Sequence, residues 1–126
     1  MRRLIALANA AGVAFVLGLA ACDDNGPAST IQFGGNPGHG RVLILSMGCG
    51  SCHSIPGVPG AHGLVGPPLD DVGERTIIAG VLPNTPNNMI AWLKAPQSVV
   101  PGNAMPNMEL DENGARDIAA YLYTLR

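Results

Sequence analysis

The sequence predicts an all-α domain of modest size. Three observations carry that expectation. A capping residue followed by proline occurs twice, at Asn36-Pro37 and Thr85-Pro86, and both pairs suit the start of a helix. Ala115, Ile118, Ala119, Leu122 and Leu125 recur at helical spacing near the C-terminus. No strand-like alternation and no internal repeat runs through the chain, whose 126 residues leave room for one domain.

Two segments precede that domain. Met1-Arg2-Arg3 is a short basic start, and an apolar run follows from Leu4 to Ala21 with Asn9 as its polar interruption. That is the shape of an export signal over residues 1–21. An ordinary signal cut near Ala21 or an uncleaved membrane helix would look similar, since the run is about long enough to cross a bilayer. The run closes on Leu19-Ala20-Ala21-Cys22, which resembles the lipobox of bacterial lipoproteins. The resemblance implies cleavage before Cys22 and lipid on its sulfur. It places the mature chain on the periplasmic side of a bacterial membrane, held by acyl chains worth about 0.8 kcal/mol per buried methylene. Arg2-Arg3 reads as the basic start of the signal rather than a twin-arginine address. Residues 22–35 are mostly small, polar and turn-forming, the composition of a flexible tether. Ile31 and Phe33 could instead tuck against the domain.

From Cys22 onward the chain keeps five of its seven Lys and Arg residues and all nine Asp and Glu, so it is mildly acidic. No basic patch exists for nucleic acid. Nor is there a ring of lysines to steer the protein to acidic partners.

The domain is expected over residues 36–126. Its first helix starts at Asn36-Pro37 and carries Val42, Leu43, Leu45 and Met47 towards Cys49, with Gly40 able to admit a second helix closely. Then comes Cys49-Gly50-Ser51-Cys52-His53, the C-x-x-C-H pattern of c-type haem attachment. Two thiols on one helical turn face the same way and can add to the two vinyl groups of a haem, and His53 can offer its imidazole to the iron. A dithiol redox site or half of a zinc site would also use C-x-x-C. The first needs a βαβ context. The second needs two further spaced ligands, and His39 and His62 flank the motif awkwardly. Residues 54–63 are too rich in Gly and Pro for a helix. Thr76 to Leu82 is apolar and is expected to form a short helix. A helix from Thr85-Pro86 carries Met89, Ile90, Leu93 and Trp92 and ends at Pro96. Asp111 caps the last helix with Glu112 in its first turn.

In this order the chain resembles the class I c-type cytochromes over residues 36 to 126. The resemblance rests on Cys49-x-x-Cys52-His53, Gly66-Pro67-x-Leu69, the loop Pro96 to Pro106 with Pro101, Gly102 and Met105, and the stretch Asp117 to Leu122. It implies the small cytochrome c fold, a few helices wrapped around one haem c. By resemblance, Cys49 and Cys52 carry the haem, and His53 and Met105 are the axial ligands. Pro67 accepts a hydrogen bond from the far nitrogen of His53, which would fix its tautomer and raise its basicity. Leu69 packs on the ring, Arg75 meets a propionate or else Glu74 or solvent, Trp92 stands near the methionine, Asn103 anchors its loop and Pro101 is expected at the haem pocket. Met108 is the rival sulfur, three residues on.

The function so implied is one-electron transfer rather than enzymatic turnover, with redox proteins as partners and no small-molecule substrate. Similar domains occur fused to terminal oxidase subunits, which suggests a haem-copper oxidase or a quinol-oxidising complex. A gas-binding sensor or a haem peroxidase remains open if Met105 leaves the iron.

Overall fold

The architecture is that of a computed structural model, in which residues 34–126 are described. The expected signal, Cys22, Ile31 and Phe33 lie outside the described residues. Among the described residues four helices follow one another: α1 (Pro37–Ser46), α2 (Pro86–Lys94), α3 (Pro96–Val99) and α4 (Glu112–Leu122). A 3₁₀ turn at Cys49–Ser51 follows α1, and β1 (Ile77–Ile78) pairs with β2 (Leu82–Pro83) ahead of α2. The all-α expectation holds, with this one small ladder added.

Local chemistry sets the helix starts. The Asn36 side chain accepts from the His39 N–H at 3.1 Å, and Pro37 needs no donor at that position. Thr85 accepts from the Asn88 N–H at 3.3 Å, and Asp111 from the Gly114 N–H at 2.7 Å. Among the helices α4 buries the most: Ala115, Ile118, Ala119, Ala120, Tyr121 and Leu122 are all shielded. It crosses α1 at Gly40, where an added Cβ would run into the Asp117 carbonyl. Gly35 meets the Arg116 carbonyl in the same way. The Asp117 side chain then ties the crossing, accepting from the Asn36 N–H at 2.6 Å and meeting His39 Nδ1 at 2.6 Å. His39 is exposed but anchored there.

Helix α2 lays Met89, Ile90 and Leu93 into the core beside α4. At its end Lys94 pairs with Glu112 at 2.6 Å, and Arg116 reaches the same carboxylate at 2.8 Å. Ala95 leaves helical geometry, as a residue before proline tends to. Pro96 therefore ends α2 as expected, yet it also begins α3, and it is almost wholly buried.

The expected helix over Thr76 to Leu82 is absent. The segment is a hairpin with Ile78 opposite Leu82 and Ile77 opposite Pro83. Ala79 and Gly80 both take left-handed φ, 53° and 73°, as the middle of a type I′ turn requires. β-Branched Ile77, Ile78 and Val81 also favour extended backbone over helix. Among the described residues no helix is long and apolar enough to cross a membrane.

Two outcomes follow. A Gly40→Ala substitution is expected to lower unfolding stability by about 1–3 kcal/mol, the range for overpacking a tight contact, as measured by chemical denaturation. The hydrogen bond from Lys94 holds the Glu112 carboxyl below its usual pKa. Because the folded pKa is lowered, the pair stabilises the fold above the unfolded carboxyl's pKa, and that contribution fades as pH falls through the folded value. Glu112→Gln should flatten the stability profile in that acid window and leave its shape at neutral pH unchanged.

Candidate functional site

The 3₁₀ turn presents the C-x-x-C-H residues. Gly48, with a left-handed φ of 70°, turns the chain out of α1. Cys52 and His53 then both return their N–H groups to the Cys49 carbonyl, at 3.2 and 3.0 Å. The segment from Gly63 to Leu69 runs alongside and closes four bonds to it: Gly63 N–H to the carbonyls of Gly50 and His53, Gly66 N–H to that of Cys52, and Leu69 N–H to that of Ser54. Two glycines make the approach possible. A Cβ on Gly63 would fall 2.5 Å from the Ser51 carbonyl, and one on Gly66 would fall 2.6 Å from His53 Nδ1.

With Gly66 flat against the ring, His53 Nδ1 lies 2.8 Å from the Pro67 carbonyl. That oxygen can only accept, so Nδ1 carries the proton and Nε2 is left with its lone pair. The arrangement gives one tautomer and a fixed ring plane.

His53 lines a cavity of about 570 Å³, well within the size of small-molecule and cofactor sites. Cys49, Cys52, Pro67, Leu69, Arg75, Trp92, Asn103 and Met105 line it too, drawn from the turn, the segment after it, α2 and the loop before α4. Core residues Ile44, Met89, Leu93, Ile118 and Leu122 complete an apolar wall. Among the described residues Arg75 is the one Lys, Arg, Asp or Glu on that wall, and exposed Val65 and Ile77 border it.

Not every expected residue stands in the cavity. Pro101 does not line it. It sits exposed at the loop's turn, ahead of Gly102 with φ 78°, and there it shapes backbone rather than packing on a bound group. Met108 does line the cavity, so it stays a rival to Met105. His62 is exposed and outside the lining, pairing its backbone with Ser54. The Arg75 guanidinium donates to the Pro68 carbonyl at 2.5 Å rather than turning to Glu74.

Asn103 holds the methionine loop from within. Its Nδ2 donates to the carbonyls of Pro96 and Val100, at 3.0 and 2.6 Å, and its Oδ1 accepts from the Met105 N–H at 2.7 Å. Gln97 was not legible beforehand, and it bonds three backbone groups of the same loop. A glutamine beside a ligand loop carries no pattern of its own. Only its position one residue after Pro96, on the loop's first turn, marks it.

Cys49 and Cys52 form no disulfide with each other, and burial pushes the Cys49 thiol up from its usual pKa. A reactive dithiol needs the opposite shift. Among the described residues no three His, Cys, Asp or Glu side chains cluster to hold a metal ion, which removes the zinc alternative there. What the described residues offer is a paired-thiol edge, an imidazole held through its Nδ1, the thioethers of Met47, Met89, Met105 and Met108, and an apolar enclosure with the Arg75 cation on its wall. That donor set suits a flat, largely apolar iron macrocycle bearing acidic side groups.

These features define a small helical domain built around a haem. The cytochrome c family model matches residues 39–126, and the chain belongs to the cytochrome c family, whose cofactor is covalently bound haem c. Among curated proteins it resembles cytochrome c oxidase subunit 2 of Alkalihalophilus pseudofirmus, 36% identical over 88 residues, which is 69% of this chain and 25% of that protein. Subunit 2 from Bacillus subtilis is 35% identical over 91 residues, covering 69% of this chain and 26% of that one. The chain thus spans about a quarter of the length of these relatives.

Gly66→Ala should force the His53 ring off the Pro67 carbonyl. We expect a severalfold lower yield of haem-loaded protein, read as haem absorbance per polypeptide. Gly38→Ala, whose Cβ would meet only the Asn36 side chain at 3.2 Å, should load normally.

Proposed function

We propose that this protein is a one-electron carrier of a respiratory chain, with haem attached through Cys49 and Cys52 and its iron held by His53 and Met105. The observation that carries the reading is the His53–Pro67 hydrogen bond, because it leaves Nε2 free on a ring that shares one cavity with both thiols and Met105. When bound, the haem supplies an iron that alternates between ferrous and ferric states, and a thioether ligand favours the ferrous one.

The chain's own residues do the rest. Cys49 and Cys52 fix the group to the 3₁₀ turn. Pro67 orients the imidazole, Leu69 and Trp92 exclude water, and Arg75 is the cation placed to meet an acidic substituent. Ile44, Met89, Leu93, Ile118 and Leu122 keep the surroundings apolar, which limits solvent reorganisation when charge changes. With both axial positions filled by side chains, nothing is left to bind a substrate, so the protein is a carrier and not an enzyme.

The likeness to oxidase subunit 2 supports a haem-copper oxidase as the acceptor, with a quinol-oxidising complex as the corresponding donor. Lipid on Cys22 would hold the carrier on the periplasmic side of a bacterial membrane. The support for that anchor is the stretch Leu19-Ala20-Ala21-Cys22 after an apolar run.

Mass spectrometry of the native membrane protein tests the attachments. Haem mass is expected on the Cys49–His53 peptide and lipid mass on Cys22, and an intact N-terminus at Met1 would overturn the anchor. Met105→Ala should lower the reduction potential and let carbon monoxide bind the reduced protein. If Met108→Ala does so instead, Met108 is the ligand. Ready carbon monoxide binding by the unaltered protein would refute a simple carrier.

A further inference from the structure

We propose that Gln97 is a positioning residue for the Met105 sulfur, clamping the ligand loop from outside through three backbone bonds. The proposal rests on Met105 being an iron ligand. The Gln97 Nε2 donates to the carbonyls of Asn103 and Met105, at 2.9 and 2.7 Å, and its Oε1 accepts from the Gly102 N–H at 3.1 Å. Both carbonyls can only accept and the N–H can only donate, so the amide has one possible orientation. A flipped amide would set donor against donor and acceptor against acceptor.

The consequence falls on Met105 itself. Its N–H is held by Asn103 Oδ1 and its carbonyl by Gln97 Nε2, so side chains hold the backbone on both sides of its Cα. The flanking residues Ala104 and Pro106 are exposed and give the loop little burial of its own. Gln97 is well placed to supply the missing rigidity. It stands on α3, whose first residue, Pro96, is nearly fully buried and also accepts from Asn103. Loop and anchor are thus cross-braced: Asn103 reaches back to α3, and Gln97 reaches forward to the loop. Opening the loop, and so withdrawing the sulfur, requires breaking the bonds of both amides.

Residue type matters here. Glutamate has the length and the acceptor but, when ionised, no donor. It would turn its charge towards two carbonyl oxygens. Asparagine is one methylene short.

The test uses the haem-loaded protein and carbon monoxide as probe. Gln97→Ala is expected to raise the carbon monoxide affinity of the reduced protein by about tenfold or more, as the loss of three ordinary hydrogen bonds implies. It should lower the reduction potential in parallel. Gln97→Glu, at neutral pH, should do at least as much. Affinity and potential within twofold of the unaltered protein in Gln97→Ala would overturn the proposal, even if its unfolding midpoint fell, because the residue would then be merely structural. So would a Gln97→Glu protein that matches the original, since the donors would be dispensable. Met105→Ala is the reference. If it leaves both readouts unchanged, the ligand assignment fails and the role of Gln97 with it. If it opens the iron site while Gln97→Ala does not, the clamp alone is refuted.

Discussion

The hydrogen bond between His53 and the Pro67 carbonyl governs much of what surrounds it. It requires the segment after the cysteine motif to double back against that motif, and the doubling back is possible only with glycine at 63 and 66. Gly66 contributes no side chain, so the peptide plane can lie against the imidazole. Arg75 then bonds the next carbonyl, that of Pro68, and so braces the same short stretch from its other side. The carbonyl of Arg75 is itself held by Asn84, which also accepts from Tyr123 at 2.5 Å. From the imidazole to the end of the C-terminal helix there runs a continuous series of contacts in which backbone carbonyls do most of the accepting.

The methionine side of the cavity is organised by different means. No close backbone pairing supports the Gly102–Met105 loop in the way that Gly63 to Leu69 supports the histidine. Side-chain amides take that role, with Asn103 inside and Gln97 outside. The two halves of the site therefore differ in kind. One is fixed by main-chain geometry that few substitutions could reproduce, and the other by the amides of two polar side chains.

Where chemistry is local, the fold was legible in the sequence. Asn36-Pro37, Thr85-Pro86 and Asp111 announce their helices because a cap acts within four residues. The C-x-x-C-H run and Gly66-Pro67-x-Leu69 could be read because their spacing is itself the geometry. The hairpin at 77–83 escaped detection because two-residue strands are too short to show alternation, and their apolar residues imitate a helix face. α3 escaped for a similar reason, being only four residues long. Gln97 and the His39–Asp117 contact could not be read at all. Their partners are backbone atoms or residues far along the chain, and neither leaves a periodic trace. Pro101 was misplaced because membership of a motif was taken to mean proximity to the cavity.

The crossing of α1 and α4 at Gly40 and Gly35 is main chain against main chain. At the glycines the joint leaves no room for a side chain, so the backbones cannot draw closer there without a clash. It has one distance of closest approach and no second resting position. The two ends of the domain thus form a rigid reference frame.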